Sequence, residues 1–196
     1  MSSIRENQKA YRKNQILVMA LDMFVAKGLH GTSTREISKA LGISSGLMFN
    51  YFKSKEDLYE TLIGIGCEKM VFDGNIANQN PYLYFREMLT TMFHELSNNA
   101  SFAKMFVFIN NVQNTEEITE YAKDLLASHN IMSQCIPIIE KGQEMGQFRT
   151  GNSRALMVAF GGAIQFIAQE KAQFPDTPLP EVDWIMDIIT EKGGKG

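Results

Sequence analysis

Residues 44–55 read Ser-Ser-Gly-Leu-Met-Phe-Asn-Tyr-Phe-Lys-Ser-Lys, which sets short polar side chains, an amide and two lysines within about three helical turns. Asn50 has the amide geometry for a bidentate contact with adenine, Leu47 offers apolar surface to a thymine methyl, and Tyr51 carries a hydroxyl for a phosphate oxygen. The plain alternatives are a solvent-facing amide and a packing leucine. Upstream, Arg5, Lys9, Arg12 and Lys13 would track a phosphate backbone, enter a minor groove or remain a mobile solvated arm; the arm is the expected state. Catalysis is not indicated. His30, His94 and His129 are far apart, no His/carboxylate metal spacing or Gly-x-Ser-x-Gly occurs, and no glycine loop is shaped to cradle a phosphate. No enzyme, metal or cofactor is therefore expected. Cys67 and Cys135 form no CxxC pair and suggest buried, reduced thiols.

These side chains must be held by helices. Apolar residues recur at helical spacing along most of the chain and no alternating β-branched run appears, so the fold class expected is all-α, with about nine helices. Ile16, Leu17, Ala20, Leu21 and Phe24 form the stripe of a first helix that stops at Gly28. Ser33 and Glu36 have the spacing of a capping box, which opens a helix of about two turns through Ile37 and Leu41 that ends at Gly42. Ser44 caps another short helix carrying Met48 and Phe52 inward, and Ser54 with Glu56 and Asp57 opens a longer one. Two short helices joined at a glycine turn are what a helix-turn-helix requires, the second presenting its first residues to base edges.

The charge is divided to match. Residues 1–55 hold nine Lys/Arg against three acids, a net +6, so residues 56–196 carry −9 of the total −3. A basic first quarter on an acidic remainder points to a polyanion-facing module followed by a part with another task. The expected domains are thus a three-helix helix-turn-helix domain, residues 1–55, and a helical domain, residues 56–196.

The stretch Thr-Arg-Glu-Ile-Ser-x-Ala-Leu-Gly-Ile-Ser-Ser-Gly-x-x-Phe-x-Tyr-Phe-Lys-Ser-Lys-Glu-x-Leu closely resembles the signature of the tetracycline-repressor (TetR) family over residues 14–64. Beyond it, helix order and Gly-Gln-Glu-Met-Gly-Gln-Phe-Arg are similar to the family's later segments. The resemblance implies a homodimeric, all-helical transcriptional regulator, usually a repressor, whose C-terminal domain binds a small molecule. It implies Ser33 at a phosphate, Arg35 near the backbone or a groove, Ser44 as cap and phosphate neighbour, and Ser45 as base reader. Gly46 would permit close backbone approach, and Lys55 would bind phosphate, with pairing to Glu56 or Asp57 as its alternative. Leu47 stands where the family usually has Thr and Phe49 where it usually has Tyr, so two phosphate-holding hydroxyls are missing.

Twelve methionines and thirteen phenylalanines supply adaptable surface for an apolar ligand, though core filling uses the same residues. A stripe from Ile118 through Tyr121, Leu125, His129, Met132 and Ile136 predicts one helix over 116–144, bent at Pro137. Candidate pocket residues are Cys67, Phe85, Met88, Met92, Phe106, His129, Met132 and Phe166. The effector expected is small and apolar, and the −9 balance leaves room for a cationic one. Phe160, Gly161, Gly162 and Ala163 in the penultimate helix, with Trp184, Ile185 and Ile188 in the last, read as homodimer surface. The competing function is a DNA-binding regulator of the same fold governed by a protein partner and by no metabolite. With 196 residues, 44 % hydrophobic and 21 % charged, no apolar run of membrane-spanning length, and Asp22 interrupting the first apolar stretch, a cytoplasmic, soluble protein without a signal peptide or membrane partner is expected.

Overall fold

A computed structural model describes residues 4–68, 74–113 and 118–191. The described residues form eleven helices in the order α1 (Ile4–Lys27), α2 (Thr34–Ala40), α3 (Ser45–Phe49), α4 (Lys55–Glu68), α5 (Gly74–Gln79), α6 (Pro81–Asn98), α7 (Ala100–Gln113), α8 (Glu120–Ser128), α9 (Ile131–Glu144), α10 (Ser153–Gln173) and α11 (Val182–Met186). The all-α class holds, with two more helices than expected. None of the described helices is long and apolar enough to cross a membrane.

The chain divides into two compact units, Met1–Lys69 with Val107–Leu126, and Met70–Phe106 with Ala127–Gly196. In the first, the predicted stripe of α1 is buried, and Phe24 meets Tyr59 edge-on at 4.9 Å while Tyr59 meets Phe108 at 5.0 Å. That aromatic triplet binds α1, α4 and the second half of α7. Edge-to-face ring pairs add about 0.5–1.5 kcal/mol each to the apolar area they bury. In the second unit α9 lies against α10, and α6 against α5, α9 and α11. Its core centres on Phe85, whose ring stands edge-on to Phe148 at 5.7 Å and Phe160 at 5.4 Å.

The single helix predicted over 116–144 is two helices. Its first residues, 116 and 117, lie outside the described part. The break falls at His129 and Asn130, because the Asn130 side chain accepts the Ser133 N–H at 3.0 Å and so starts α9 afresh. His129 consequently occupies this break instead of an apolar stripe, and Tyr121 is 63 % exposed. Pro137 does lie inside α9. The segment after Gly146 ties α9 to the end of the chain's second core: Phe148 is fully buried and its backbone bridges Thr190, while the Arg149 guanidinium donates to the carbonyls of Asp187 and Thr190. α11 is shorter than predicted, since Ile188 and Ile189 belong to the turn that follows it, closed by the Ile185 and Met186 carbonyls.

Candidate nucleic-acid interface

α2 begins where its sequence demands. The Glu36 N–H donates to Ser33 Oγ at 3.2 Å, and the Ser33 N–H donates back to Glu36 Oε2 at 3.0 Å, a complete capping box. The Ser33 hydroxyl also donates to that carboxylate at 2.8 Å, and Lys27 pairs with it at 3.1 Å. These contacts, the Ser33 hydroxyl foremost and Lys27 next, hold the Glu36 carboxyl below its usual range. Gly42 closes the helix at φ +64°, a conformation that side chains with a Cβ rarely adopt, and the Ile43 N–H returns to the Ser38 carbonyl at 3.0 Å.

The turn delivers α3. Ser44 Oγ accepts the Leu47 N–H at 3.1 Å, so Ser44 is the N-cap and Ser45 the first helical residue. Met48 points inward, 1 % exposed, with its sulfur 3.2 Å from the oxygen of the Ser38 hydroxyl, which donates to the Thr34 carbonyl at 2.8 Å. One buried anchor therefore fixes the rotation of a five-residue helix. Ser44, Ser45, Gly46, Leu47 and the C-cap Asn50 all reach solvent, as do Ser33 and Arg35 beside and on α2. Phe49 is also exposed, at 50 %, although it lacks the family's hydroxyl. The Lys55 ammonium donates to the Leu29 carbonyl at 2.7 Å, a partner that neither the phosphate reading nor the acidic alternative foresees.

The basic segment at the N-terminus is helix, not a loose arm, because α1 runs from Ile4 without interruption. Residues 4–14 of that helix are exposed apart from the half-buried Arg12. Lys13 sits 5.6 Å from the Phe52 ring centroid, a cation–π contact that joins this part of α1 to the residues following α3. Arg5, Gln8, Lys9, Tyr11 and Arg12 line an open groove of about 570 Å³ that Tyr51 completes. Gln8 and Tyr11 are additions to the residues expected from sequence. The signal that finds them is their place beside Arg5, Lys9 and Arg12, which repeat at helical spacing.

The residues expected to meet an effector divide between the two units. Cys67 is buried in the first unit. In the second, Phe85, Met88 and Met92 are buried in the core, with Phe106 and Met132 partly buried against it. Phe166 is 63 % exposed on α10, outside that core. Burial pushes the Cys67 thiol up and the Cys135 thiol up to about 11, so both are neutral thiols at neutral pH. Of the candidate dimer residues, Gly162 and Trp184 are exposed and Gly161, Ala163 and Ile188 half-buried. Phe160 and Ile185 instead face inward, Phe160 fully buried against Phe85, so their bulk serves the chain's own core. Among the described residues no group of three or more His, Cys, Asp or Glu is arranged to hold a metal.

Residues 16–62 match the family model of bacterial regulatory proteins, tetR family. The HTH-type transcriptional regulator YuxN of Bacillus subtilis is 28 % identical over 120 residues, covering 60 % of this chain and 41 % of that protein. The HTH-type transcriptional repressor KstR2 of Mycolicibacterium smegmatis is 39 % identical over 57 residues, covering 29 % of this chain and 28 % of that protein. The chain thus spans about two fifths or less of these curated relatives. Across the whole fold, a HlyIIR mutant protein superposes with TM-score 0.67 at 22 % identity, covering 94 % of this chain and 98 % of the other. The ketosteroid regulator KstR2 of Mycobacterium tuberculosis gives TM-score 0.66 at 18 % identity, covering 92 % and 96 %. At those identities the structures speak for the fold, and the signature carried by α2, α3 and the start of α4 speaks for the segment that holds them: residues 16–62 match the helix-turn-helix segment of the tetR family of bacterial regulatory proteins.

Proposed function

We propose that this protein is a ligand-responsive repressor that binds a palindromic operator as a homodimer and is released by a small apolar effector. The observation that carries the reading is α3, a capped helix with one buried anchor, Met48, and exposed Ser45, Gly46, Leu47 and Asn50. Side chains on so short a helix reach few base edges, so specificity needs two copies, and much of the affinity must come from phosphates. Residues 1–55 serve DNA and residues 56–196 the effector and the dimer. Ser33, Arg35, Ser44, Tyr51 and Lys55 hold the sugar-phosphate backbone, while Ser45, Leu47 and Asn50 face bases. Gly162, Ala163 and Trp184 supply dimer surface, which the exposure of Gly162 and Trp184 on one chain supports. Phe106 and Met132, half-buried on the edge of the Phe85 core, are the residues best placed to open toward an apolar guest. KstR2 is named a ketosteroid transcriptional regulator, and a steroid is one apolar class that this reading would admit as an effector.

Selection from a random duplex pool with the purified chain tests the DNA half of the reading. It should enrich a two-fold symmetric site occupied by an even number of chains; recovery of no preferred sequence overturns it. A second reading, control by a protein partner, draws on the enclosure of Phe85 by Phe148 and Phe160, which fills the centre of the second unit with protein. Calorimetry against a panel of lipophilic compounds separates the two, because the partner reading predicts no binder.

A further inference from the structure

The groove on the N-terminal part of α1 has a lining that selects one kind of ligand. Its residues are Arg5, Gln8, Lys9, Tyr11, Arg12 and Tyr51, three cations and three neutral groups that can each donate a hydrogen bond. Among the described residues that line it there is no carboxylate, so the lining itself suits an anion and not a cation. Arg5, Lys9 and Arg12 recur at intervals of four and three residues and therefore share one helix face. Seven residues of helix extend about 10 Å, close to the rise of three phosphates of one strand measured along the DNA axis. The row thus fits an extended polyanion better than a single phosphate. Rigidity also matters. α1 is continuous from Ile4 to Lys27 and its second half is clamped into the core by Ile16, Leu17, Ala20, Leu21 and Phe24, while Lys13 rests on the Phe52 ring. The cations are carried on a lever rooted in the same core as the recognition helix, and binding them orders no loose segment.

Tyr51 fixes the position of the groove, because it follows Asn50, the C-cap of α3. We infer that this groove is a second DNA site, which takes the sugar-phosphate backbone flanking the operator half-site while α3 reads the bases. The inference rests on the operator reading above and deepens it. The α1 site contributes affinity that is independent of sequence, extends each half-site outward, and offsets the two hydroxyls missing at Leu47 and Phe49. Its contacts are to phosphates, so they carry strong salt dependence and no base preference.

The test compares the wild-type protein with the triple variant Arg5→Gln, Lys9→Gln, Arg12→Gln, which keeps the helix-forming stems and removes the charge. Lys123→Gln, an exposed charge removed from α8, serves as the control for net charge. Operator affinity is measured from 50 to 200 mM salt, and backbone protection is mapped by hydroxyl-radical footprinting. The triple variant should flatten the plot of log K against log salt by up to about 0.9 for each phosphate that is no longer neutralised, in each subunit. Protection should shrink at the outer edge of both half-sites while the selected core sequence stays the same. Tyr51→Phe, which removes a single hydroxyl, should produce a smaller loss of protection at the same edge. If wild-type protein selects a site, and the triple variant keeps the same slope and the same footprint, the groove is not a DNA site although the operator reading stands. An equal flattening by Lys123→Gln also overturns the inference, since the effect would then be one of overall charge. Failure of the wild-type protein to select any site removes the operator reading and this inference with it.

Discussion

The Lys55 ammonium lies 2.7 Å from the Leu29 carbonyl oxygen, so the first turn of α4 is tied to the segment that leaves α1. A charged donor on a part-buried carbonyl is worth about 1.5–3 kcal/mol before screening, and a lysine so held keeps two further N–H donors for a phosphate. Lys55→Met retains the stem and removes both functions. It should lower the melting temperature by several degrees, weaken binding to every DNA sequence by the same factor, and reduce the salt slope by about 0.9 per subunit. A fall in stability with the slope unchanged would assign Lys55 to the tie alone.

Ser45 and Asn50 bracket α3, one the first helical residue and the other the C-cap, and neither side chain is buried. Removing one base contact costs about 1–3 kcal/mol and relaxes preference at one position of each half-site. Ser45→Ala and Asn50→Ala should each change the ranking of operator variants at a different base pair. Should the ranking be identical in both variants and the wild type, α3 reads shape through the backbone instead.

A Cβ placed on Gly142 would lie 2.1 Å from the Phe148 ring, a distance at which one of the two must move. Phe148 has little room, being enclosed against Phe85 and held by the Arg149 N–H on the Ile189 carbonyl. Gly142→Ala should therefore destabilise the protein by about 1–3 kcal/mol in denaturant titration. The double change Gly142→Ala with Phe148→Leu should recover part of the loss, and additive effects would show that the two sites do not share a contact.

The Gly142–Phe148 contact also marks a limit of what is legible in the sequence. The helix-turn-helix is readable because it is written in local chemistry: a capping box at Ser33, a positive-φ glycine at 42, a cap at Ser44. Each needs only residues three or four apart. The burial of Phe148 is not readable in this way, because its partners, Phe85 and Gly142, are set by tertiary packing that no local spacing reports. The break at Asn130 is hidden for a different reason, since the apolar stripe continues across it at helical spacing and only the side-chain hydrogen bond to Ser133 shows that the helix restarts. Phe160 and Phe166 are alike in residue type; only burial tells that one faces the core and the other solvent. The basic residues of α1 are visible in the sequence, but their helical continuity with the core stripe, which turns a row of charges into a groove, is not.

Burial raises the Cys135 thiol to about 11, and desolvation with the neighbouring thiol raises Tyr84 to about 12. For an acid whose folded-state pKa is raised, the folded protein holds its proton while the unfolded chain releases it, so stability falls as pH climbs from the unfolded value near 9 toward 11. Stability measured by urea titration should be flat near neutrality and drop by a few kcal/mol across that window. Cys135→Ala should make the drop shallower. In the native state at neutral pH both cysteines should resist alkylation, and rapid labelling of either would contradict the burial of both thiols.

Effector release can be judged by reciprocity. An effector that binds the operator-bound and the free state equally shifts nothing, so a true one must bind more tightly to a form with mis-spaced recognition helices. If it lowers operator affinity tenfold, operator DNA must lower effector affinity tenfold as well, about 1.4 kcal/mol of coupling in each direction. Titrating a candidate compound with and without a saturating operator duplex measures both factors. Met132→Trp, at a half-buried position on the edge of the second core, should block the compound and spare DNA binding. Met92→Trp should block it too, but Met92 is only 5 % exposed, so added bulk there also costs about 1–3 kcal/mol of stability. Unequal factors in the two directions would show that the compound acts on some other species. If no lipophilic compound binds, and both tryptophan variants regulate as the wild type does, control passes to a protein partner.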